Sequence, residues 1–193
     1  MYNNNLDKAL RMTKPLIFLL LCFQYSIAED DKLNHVPDIK LKMLDGKKIQ
    51  LYDFLEEGPL LIDFWATWCA PCKKEMKHLN KFHEAYTDSG FNVLMINEDT
   101  PRSLSKVKSY VKSKKFVFHV ALDPNQQISK KMNAVLLPTT ILIDRTGKIL
   151  WKHQGYMIGD EVEIEEQILH ALRSDSLYVS QQIQDSLSVT PPN

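Results

Sequence analysis

The residues of this 193-residue chain best suited to chemistry are Cys69 and Cys72, set in the run Trp68-Cys69-Ala70-Pro71-Cys72. Two thiols separated by two residues can close a disulfide and reopen it. The run follows the apolar segment Leu60-Leu61-Ile62-Asp63-Phe64-Trp65 and precedes a helical pattern, so the pair falls at a strand-to-helix junction. There the unpaired N–H groups of the first helical turn favour negative sulfur and lower the pKa of the outer cysteine. Cys69 is therefore the expected nucleophile. Pro71 suits the first turn, because its missing N–H would have been unpaired and its fixed φ already matches a helix. Cys72, one turn in and shielded, would resolve a mixed disulfide by attacking Cys69. A closed zinc site would need further ligands, and the chain has no second Cys-x-x-Cys.

The elements around the pair follow from hydrophobic periodicity. Residues 60–65 are too continuously apolar for a half-solvated strand, so that strand should be central and covered on both faces. Met76, Leu79, Phe82 and Tyr86 recur at helical spacing, with Ser89-Gly90 as a stop. Upstream, residues 39–43 and 48–51 alternate around Asp45-Gly46 as a hairpin does. Residues 91–96 read as the next buried strand, and Thr100-Pro101 opens a helix whose inner face carries Leu104, Val107 and Val111. The lysines at 106, 108, 112, 114 and 115 read as a solvated helix face, with a docking patch as the alternative. Residues 116–122 form a short strand, Asp123-Pro124 opens a small helix bearing Ile128 and Met132, and Asn133 stops it.

Residues 139–143 and 148–152 then flank the turn Asp144-Arg145-Thr146-Gly147. Asp160 with Glu163 resembles a capping box for a last helix whose Ile164, Ile168, Leu169 and Leu172 face inward. The expected product is an α/β domain over residues 35–174, with a central mixed β-sheet flanked by helices and an N-terminal β-hairpin. Residues 175–193, rich in Ser, Gln and Asp, read as a disordered polar tail.

Charge narrows the partners. The chain carries 24 Lys and Arg against 24 Asp and Glu, so no global field draws it to nucleic acid or to an anionic membrane. Lys8, Arg11 and Lys14 precede the apolar residues 15–23, and Ser26-Ile27-Ala28 supplies small residues where a signal peptidase reads. Residues 1–28 are thus a signal peptide cut after Ala28 or an uncleaved N-terminal anchor. Cys22 lies in the apolar run as a small hydrophobe, and Leu21 before it is too large for a lipid-modification site. Without those residues Cys69 and Cys72 are the only thiols left. So short a loop adds little entropic stabilisation, so an exported protein with this one pair should use it for exchange.

The segment Phe64-Trp65-Ala66-Thr67-Trp68-Cys69-Ala70-Pro71-Cys72-Lys73-Lys74-Glu75-Met76, with Leu137-Pro138-Thr139-Thr140 and Leu142-Ile143-Asp144-Arg145-Thr146-Gly147-Lys148 further on, resembles the thioredoxin superfamily. Within it the chain most resembles the TlpA/ResA-like exported thiol-disulfide oxidoreductases, over residues from about 36 to about 172. The resemblance implies a thioredoxin-like fold and a Cys69–Cys72 redox-active disulfide. It also implies a periplasmic or membrane-tethered location and reduction of disulfides in exported client proteins, including apocytochromes awaiting haem. It makes Pro138 the cis-proline lying against the pair, with the backbone of Leu137, beside Trp68 and Pro71, receiving an extended client segment. Proline before a run of strand residues independently fits a strand start, and only an X-Pro bond adopts cis at modest cost.

Two carboxylates complete the candidate site. Glu75 corresponds to an acidic residue near the pair in the ResA-like members, where it would bias thiol pKa values or partner choice; the alternative is an exposed first-turn carboxylate that gains a little from the helix dipole. Asp63 alternates with Leu61 and Trp65 on one face of a buried strand. An unpaired buried carboxylate is costly unless it is protonated or partnered. In thioredoxins an acid at this place sits beneath the pair, so Asp63 is expected to relay the proton of Cys72; the alternative is an Asp reaching solvent at the end of the sheet. Two departures stand out: Lys77 replaces a proline that often kinks the following helix, and Met95 occupies the place of the lysine that accompanies the acid in thioredoxin.

Ala70-Pro71 brings neither charge nor imidazole to the pair, so thiolate stabilisation is moderate and the expected direction is reduction. An exported reductant must be recharged, which calls for a membrane electron donor. We expect a monomer with no cofactor and no metal. The rival readings are a peroxiredoxin-like peroxidase, whose Pro-x-x-x-Thr pattern is missing around Cys69, and a Sco-like copper chaperone, whose cysteines are one residue further apart. His78 and His83 follow the pair on its helix, while His35, His119, His153 and His170 are scattered.

Overall fold

Alternation around a glycine turn builds the first element. β1 (Lys40–Lys42) and β2 (Lys48–Gln50) pair antiparallel, with Leu41 opposite Ile49, and Gly46 turns between them at φ 97°. The computed structural model describes residues 34–188, so the expected signal or anchor, with Cys22, lies outside the described residues. The described residues from Val36 on belong to one structural unit. A 3₁₀ turn over Leu51–Glu56 leads from β2 into β3 (Leu60–Trp65), every residue of which is buried.

β3 is followed by α1 (Ala70–Tyr86), β4 (Asn92–Asn97), α2 (Leu104–Lys114), β5 (His119–Leu122), α3 (Gln127–Lys131), β6 (Thr139–Ile143), β7 (Ile149–Gln154) and α4 (Asp160–Ser188). The main sheet has the order β5-β4-β3-β6-β7. β3 pairs parallel with β4 and antiparallel with β6, which makes it the central strand, as its unbroken apolar run predicts. The β1–β2 hairpin is tied to β5 by the bond from Leu44 N–H to the Val120 carbonyl and by the bridge of Met43 with Ala121.

Because strand side chains alternate, β3 feeds two separate cores. Leu60, Ile62 and Phe64 pack with Leu41, Leu51, Leu94, Ile96, Ile141 and Ile143. Leu61 and Trp65 pack on the other side with Cys72, Met76 and Leu79 of α1 and with Ile164 and Ile168 of α4. That second side also carries Asp63.

Several local expectations hold for visible reasons. α1 runs unbroken through Lys77, so the kink that a proline would impose does not occur. Gly90 ends the turn after α1 at φ 85°, where a side chain would also strike the Glu57 carbonyl. Asp123 opens α3 by accepting the N–H groups of Gln127, Ile128 and Ser129 at 2.8–2.9 Å. Asn133 stops α3 in the left-handed region at φ 51°.

Three expectations are corrected. Residues 116–118 do not join β5, because the N–H of Val117 is taken by the Asn80 side chain of α1 at 2.8 Å and Phe116 stacks on Phe118. Glu163 makes no capping box: it accepts from the Trp151 indole, while Asp160 accepts the Met157 N–H and Glu161 the Gly159 N–H. Residues 175–188, read as disordered from composition, continue α4 as helix to Ser188. No Gly or Pro interrupts them, and Asp175 is held by a two-pronged bond to Arg145, Nε and Nη2 each at 2.9 Å. The same guanidinium donates to the carbonyls of Glu56 and Glu57.

Candidate functional site

The C-terminal ends of β3 and β4 position the cysteines. Asp99 accepts from the Thr67 N–H at 2.6 Å and the Thr67 hydroxyl at 2.7 Å, and Asn97 braces Asp99 in turn at 2.8 Å. Glu98 N–H bonds back to the Trp65 carbonyl and Cys69 N–H to that of Ala66. The turn leaving β3 is thereby fixed, and Cys69 becomes the N-cap of α1 with extended backbone, φ −79° and ψ 105°. Its sulfur accepts from the Cys72 N–H at 3.2 Å, so one orphan donor of the first helical turn points at Sγ.

Cys69 and Cys72 are joined in a disulfide with their Cα atoms 5.4 Å apart. Cys72 is fully buried, and Cys69 retains 5 % of its surface at the mouth. Pro71 is half-buried beside them, and Trp68 is 68 % exposed. The Leu137–Pro138 peptide is cis. Leu137 packs against the core that contains both cysteines, and the Pro138 carbonyl accepts from Gly155 N–H at 2.8 Å, drawing the turn after β7 to the same end of the sheet.

On the side of β3 that packs against the cysteines the structure brings Asp63 and Glu75 together, both with no exposed surface. Thr140, opposite Asp63 on β6, lies between them: its hydroxyl oxygen is 2.7 Å from Glu75 Oε1 and 3.4 Å from Asp63 Oδ1. The readings of Glu75 as an exposed carboxylate and of Asp63 as an acid reaching solvent are both ruled out by this burial. Met95 stands opposite Asp63 on β4 and offers it no charge. Burial, followed by the nearby Glu75, holds the Asp63 carboxyl well above the usual carboxylate range, against the opposing hydrogen bonds of Thr140 and of Phe64 N–H. Burial pushes Glu75 up to about 7, with the Thr140 hydroxyl opposing and the charge of Asp160 adding to the rise.

Thr140 was missed as a site residue. Its signal was the pair of hydroxyls, Thr139 and Thr140, opening a strand that is otherwise Ile-Leu-Ile. The histidines do not gather at the cysteines. His83 faces His119 with ring centroids 5.5 Å apart, His78 lies by Tyr156, and His153 lies 3.4 Å from Asp160. The exposed apolar side chains are a further feature the sequence did not single out: Val135 and Leu136 precede the cis-proline, and Met157 and Ile158 follow Gly155.

A parallel–antiparallel sheet with a disulfide at the N-terminus of the helix after its central strand, and a cis-proline loop whose Leu137 packs on the same core, defines a thiol-disulfide oxidoreductase of thioredoxin-like fold. The AhpC/TSA family model matches residues 33–152, and the chain belongs to that family. It is similar to the thiol-disulfide oxidoreductase ResA of Bacillus thuringiensis, 32 % identical over 160 residues that cover 78 % of this chain and 91 % of the relative. The thioredoxin-like protein YneN of Bacillus subtilis is 32 % identical over 66 % of this chain and 74 % of its own length. Among solved structures, a protein of Chlorobium tepidum described as thiol:disulfide interchange protein DsbE superposes with a TM-score of 0.67 at 32 % identity, over 72 % of this chain and 96 % of that one.

Proposed function

We propose that this oxidoreductase works as a reductase of disulfides in exported proteins, recharged by an electron donor in the membrane. The observation that carries the direction is the surroundings of the pair. Ala70 and Pro71 bring no positive charge, and two buried carboxyls, Asp63 and Glu75, stand on the strand and the helix that pack around the cysteines. A carboxylate there disfavours the thiolate form, which destabilises an ionised dithiol and makes the couple more reducing. In the reaction Cys69 attacks a client disulfide, Cys72 loses its proton to the carboxyl pair below and attacks Cys69, and the client leaves with both sulfurs reduced.

The client we propose is an extended segment with apolar residues around its disulfide. Its backbone would pair beside Leu137 and Pro138, and its side chains would meet the uncharged rim of Trp68, Leu136, Met157 and Ile158. The reading implies export through residues 1–28. Maturation of apocytochromes is one client role consistent with it.

The test is the reduction potential of the Cys69/Cys72 couple, by equilibration of the protein against dithiothreitol and glutathione. A value near roughly −270 mV is expected of a reductase; one near roughly −120 to −180 mV would identify an oxidant or isomerase and overturn the direction.

A further inference from the structure

The loop between α3 and β6 carries the exposed Val135 and Leu136, 66 % and 59 % open, and runs straight into the cis Leu137–Pro138 peptide. Chain that leaves a helix exposes its last carbonyls and moves freely unless other groups take them. Here they are taken. Lys152 Nζ of β7 donates to the Asn133 carbonyl at 2.7 Å and to the Met132 carbonyl at 3.2 Å. The Ala134 N–H returns to the Ser129 carbonyl at 2.7 Å, and the Thr139 hydroxyl donates to the Leu136 carbonyl at 2.6 Å. The loop is thus pinned at both ends while its two apolar side chains stay in solvent.

Lys152 is placed unlike an ordinary surface lysine. Its cross-strand partner is Ile141, which joins the apolar core that also holds Met132 and Ala134. Trp151 and His153 on either side of it point to the other face, where Glu163 and Asp160 of α4 meet them. The half-buried Lys152 side chain therefore lies on the face of the sheet away from the cysteines, and it delivers its ammonium to two carbonyls of another element. Burial draws its pKa below the ordinary lysine value, and the two carbonyl bonds offset the lost hydration. β7 is also an edge strand of the sheet, where a lysine serves to block pairing with another chain. Experiment can separate the two roles.

We infer that Lys152 is a positioning residue for client binding: by holding the Met132 and Asn133 carbonyls it fixes Val135 and Leu136 beside Pro138, and so sets the affinity for an extended client without touching the thiol chemistry. This role rests on the reading that the client lies along Leu137 and Pro138. A loop ordered before the client arrives spares the complex the entropy of ordering it, so the gain appears as tighter binding and not as faster exchange. Leu137 packs against both cores, so a shift of the loop on the Lys152 side moves the recognition backbone, whereas the cysteines are set by the turn after β3. A lysine suits this post, since its three donors rotate to reach two adjacent carbonyls, while the planar fork of arginine is matched to a carboxylate.

The experiment uses the reduced full chain and two probes that release the same thiopyridone when Cys69 attacks. One is dipyridyl disulfide; the other is an extended apolar peptide whose single cysteine is joined to thiopyridine by a disulfide. Release is followed in single turnovers over a range of probe concentrations. Lys152→Met keeps the stem and removes the donors. It should raise the half-saturating peptide concentration about tenfold, keep the limiting rate within about twofold, and leave the rate with dipyridyl disulfide unchanged. Lys152→Arg should recover part of the loss. Amide hydrogen exchange should quicken at Ala134 and stay unchanged in β3 and α1.

An unchanged half-saturation, or equal losses with both probes, overturns the role; equal losses are what a lysine that merely holds the fold would give. Lys152→Gln, polar but too short to span both carbonyls, carries the same comparison where the methionine variant fails to fold. Leu136→Ser distinguishes failure of the role from failure of the reading beneath it. If that change leaves the peptide half-saturation where it was, the client does not lie on this loop and the reading itself falls. If it raises the half-saturation and Lys152→Met does not, the role of Lys152 alone is wrong.

Discussion

The two sides of β3 carry three residues each and do opposite things. Leu60, Ile62 and Phe64 enter a wholly apolar core, where every neighbour is satisfied by contact alone. Leu61, Asp63 and Trp65 enter a core that also holds the disulfide, Glu75 and Thr140. Among the described residues, the buried side-chain atoms left without a hydrogen-bond partner are Asp63 Oδ2, Trp65 Nε1, Glu75 Oε2 and Glu98 Oε1, and the first three belong to that second side or to the helix packed on it. The same strand thus carries packing on one side and, on the other, a polar site with unpartnered buried atoms. A function that needs an ionisable group in a dry place is compatible with a stable fold because the opposite side carries the packing.

The comparison breaks first, and by the largest amount, on the apolar side. Phe64→Ala removes a fully buried ring beside Ile96 and Ile141 and should cost about 3–5 kcal/mol of unfolding free energy. Since no titrating group takes part, the loss should be the same at pH 5 and pH 8. Urea titrations at both pH values measure it; a loss that differs strongly between them would show that the two sides are coupled through the strand.

On the polar side the expected effect is smaller and depends on pH. Asp63 and Glu75 have folded pKa values raised above the unfolded ones, so the native state binds more protons between those limits and stability falls as pH rises. The fall should start near the ordinary carboxyl range of about 4 and, for Glu75, be complete above about 7, with a contribution from Glu75 on the order of 3 kcal/mol. The double variant Asp63→Asn, Glu75→Gln should flatten this slope and be more stable than the parent at pH 8. Equal slopes for parent and double variant in thermal melts from pH 4.5 to 8.5 would mean that the pair is neutralised in another way.

The same division explains what could be read from the sequence. β3, α1 and the stop at Gly90 were legible because periodicity, a proline in the first turn and a glycine after the last one are local signals. The cysteine pair was legible for the same reason, as was the odd carboxylate at 63. The contact of Asp63 and Glu75 with one hydroxyl was not, since Asp63, Glu75 and Thr140 come from three elements and lie up to 77 residues apart. Their meeting follows from the antiparallel register that sets Thr140 opposite Asp63, a fact of topology rather than composition. The helical run to Ser188 escaped for a related reason: the bond from Arg145 to Asp175 spans 30 residues, and no window of polar composition contains it.

The smallest expected effect sharpens the contrast from the acid side. His83, on the helix of the polar side, accepts the Val93 N–H through Nδ1 at 3.3 Å, which requires that nitrogen to be unprotonated. Burial, then the facing His119, holds its pKa below the ordinary value, while Glu84 and Glu57 pull it back up. A lowered histidine pKa contributes stability that is present above about 6.5 and is lost as pH falls below that, the reverse of the carboxyl pair. His83→Gln keeps an acceptor for Val93 without a titrating ring, so its acid limb should be shallower than the parent's by less than about 1 kcal/mol after solvent screening. The two opposed slopes give the polar side a stability maximum in mildly acidic solution, which His83→Gln should broaden downward and the carboxyl double variant upward. If both variants move the same limb of the thermal melting profile, the titrations belong to one coupled network and the separation of helix edge from carboxyl pair is wrong.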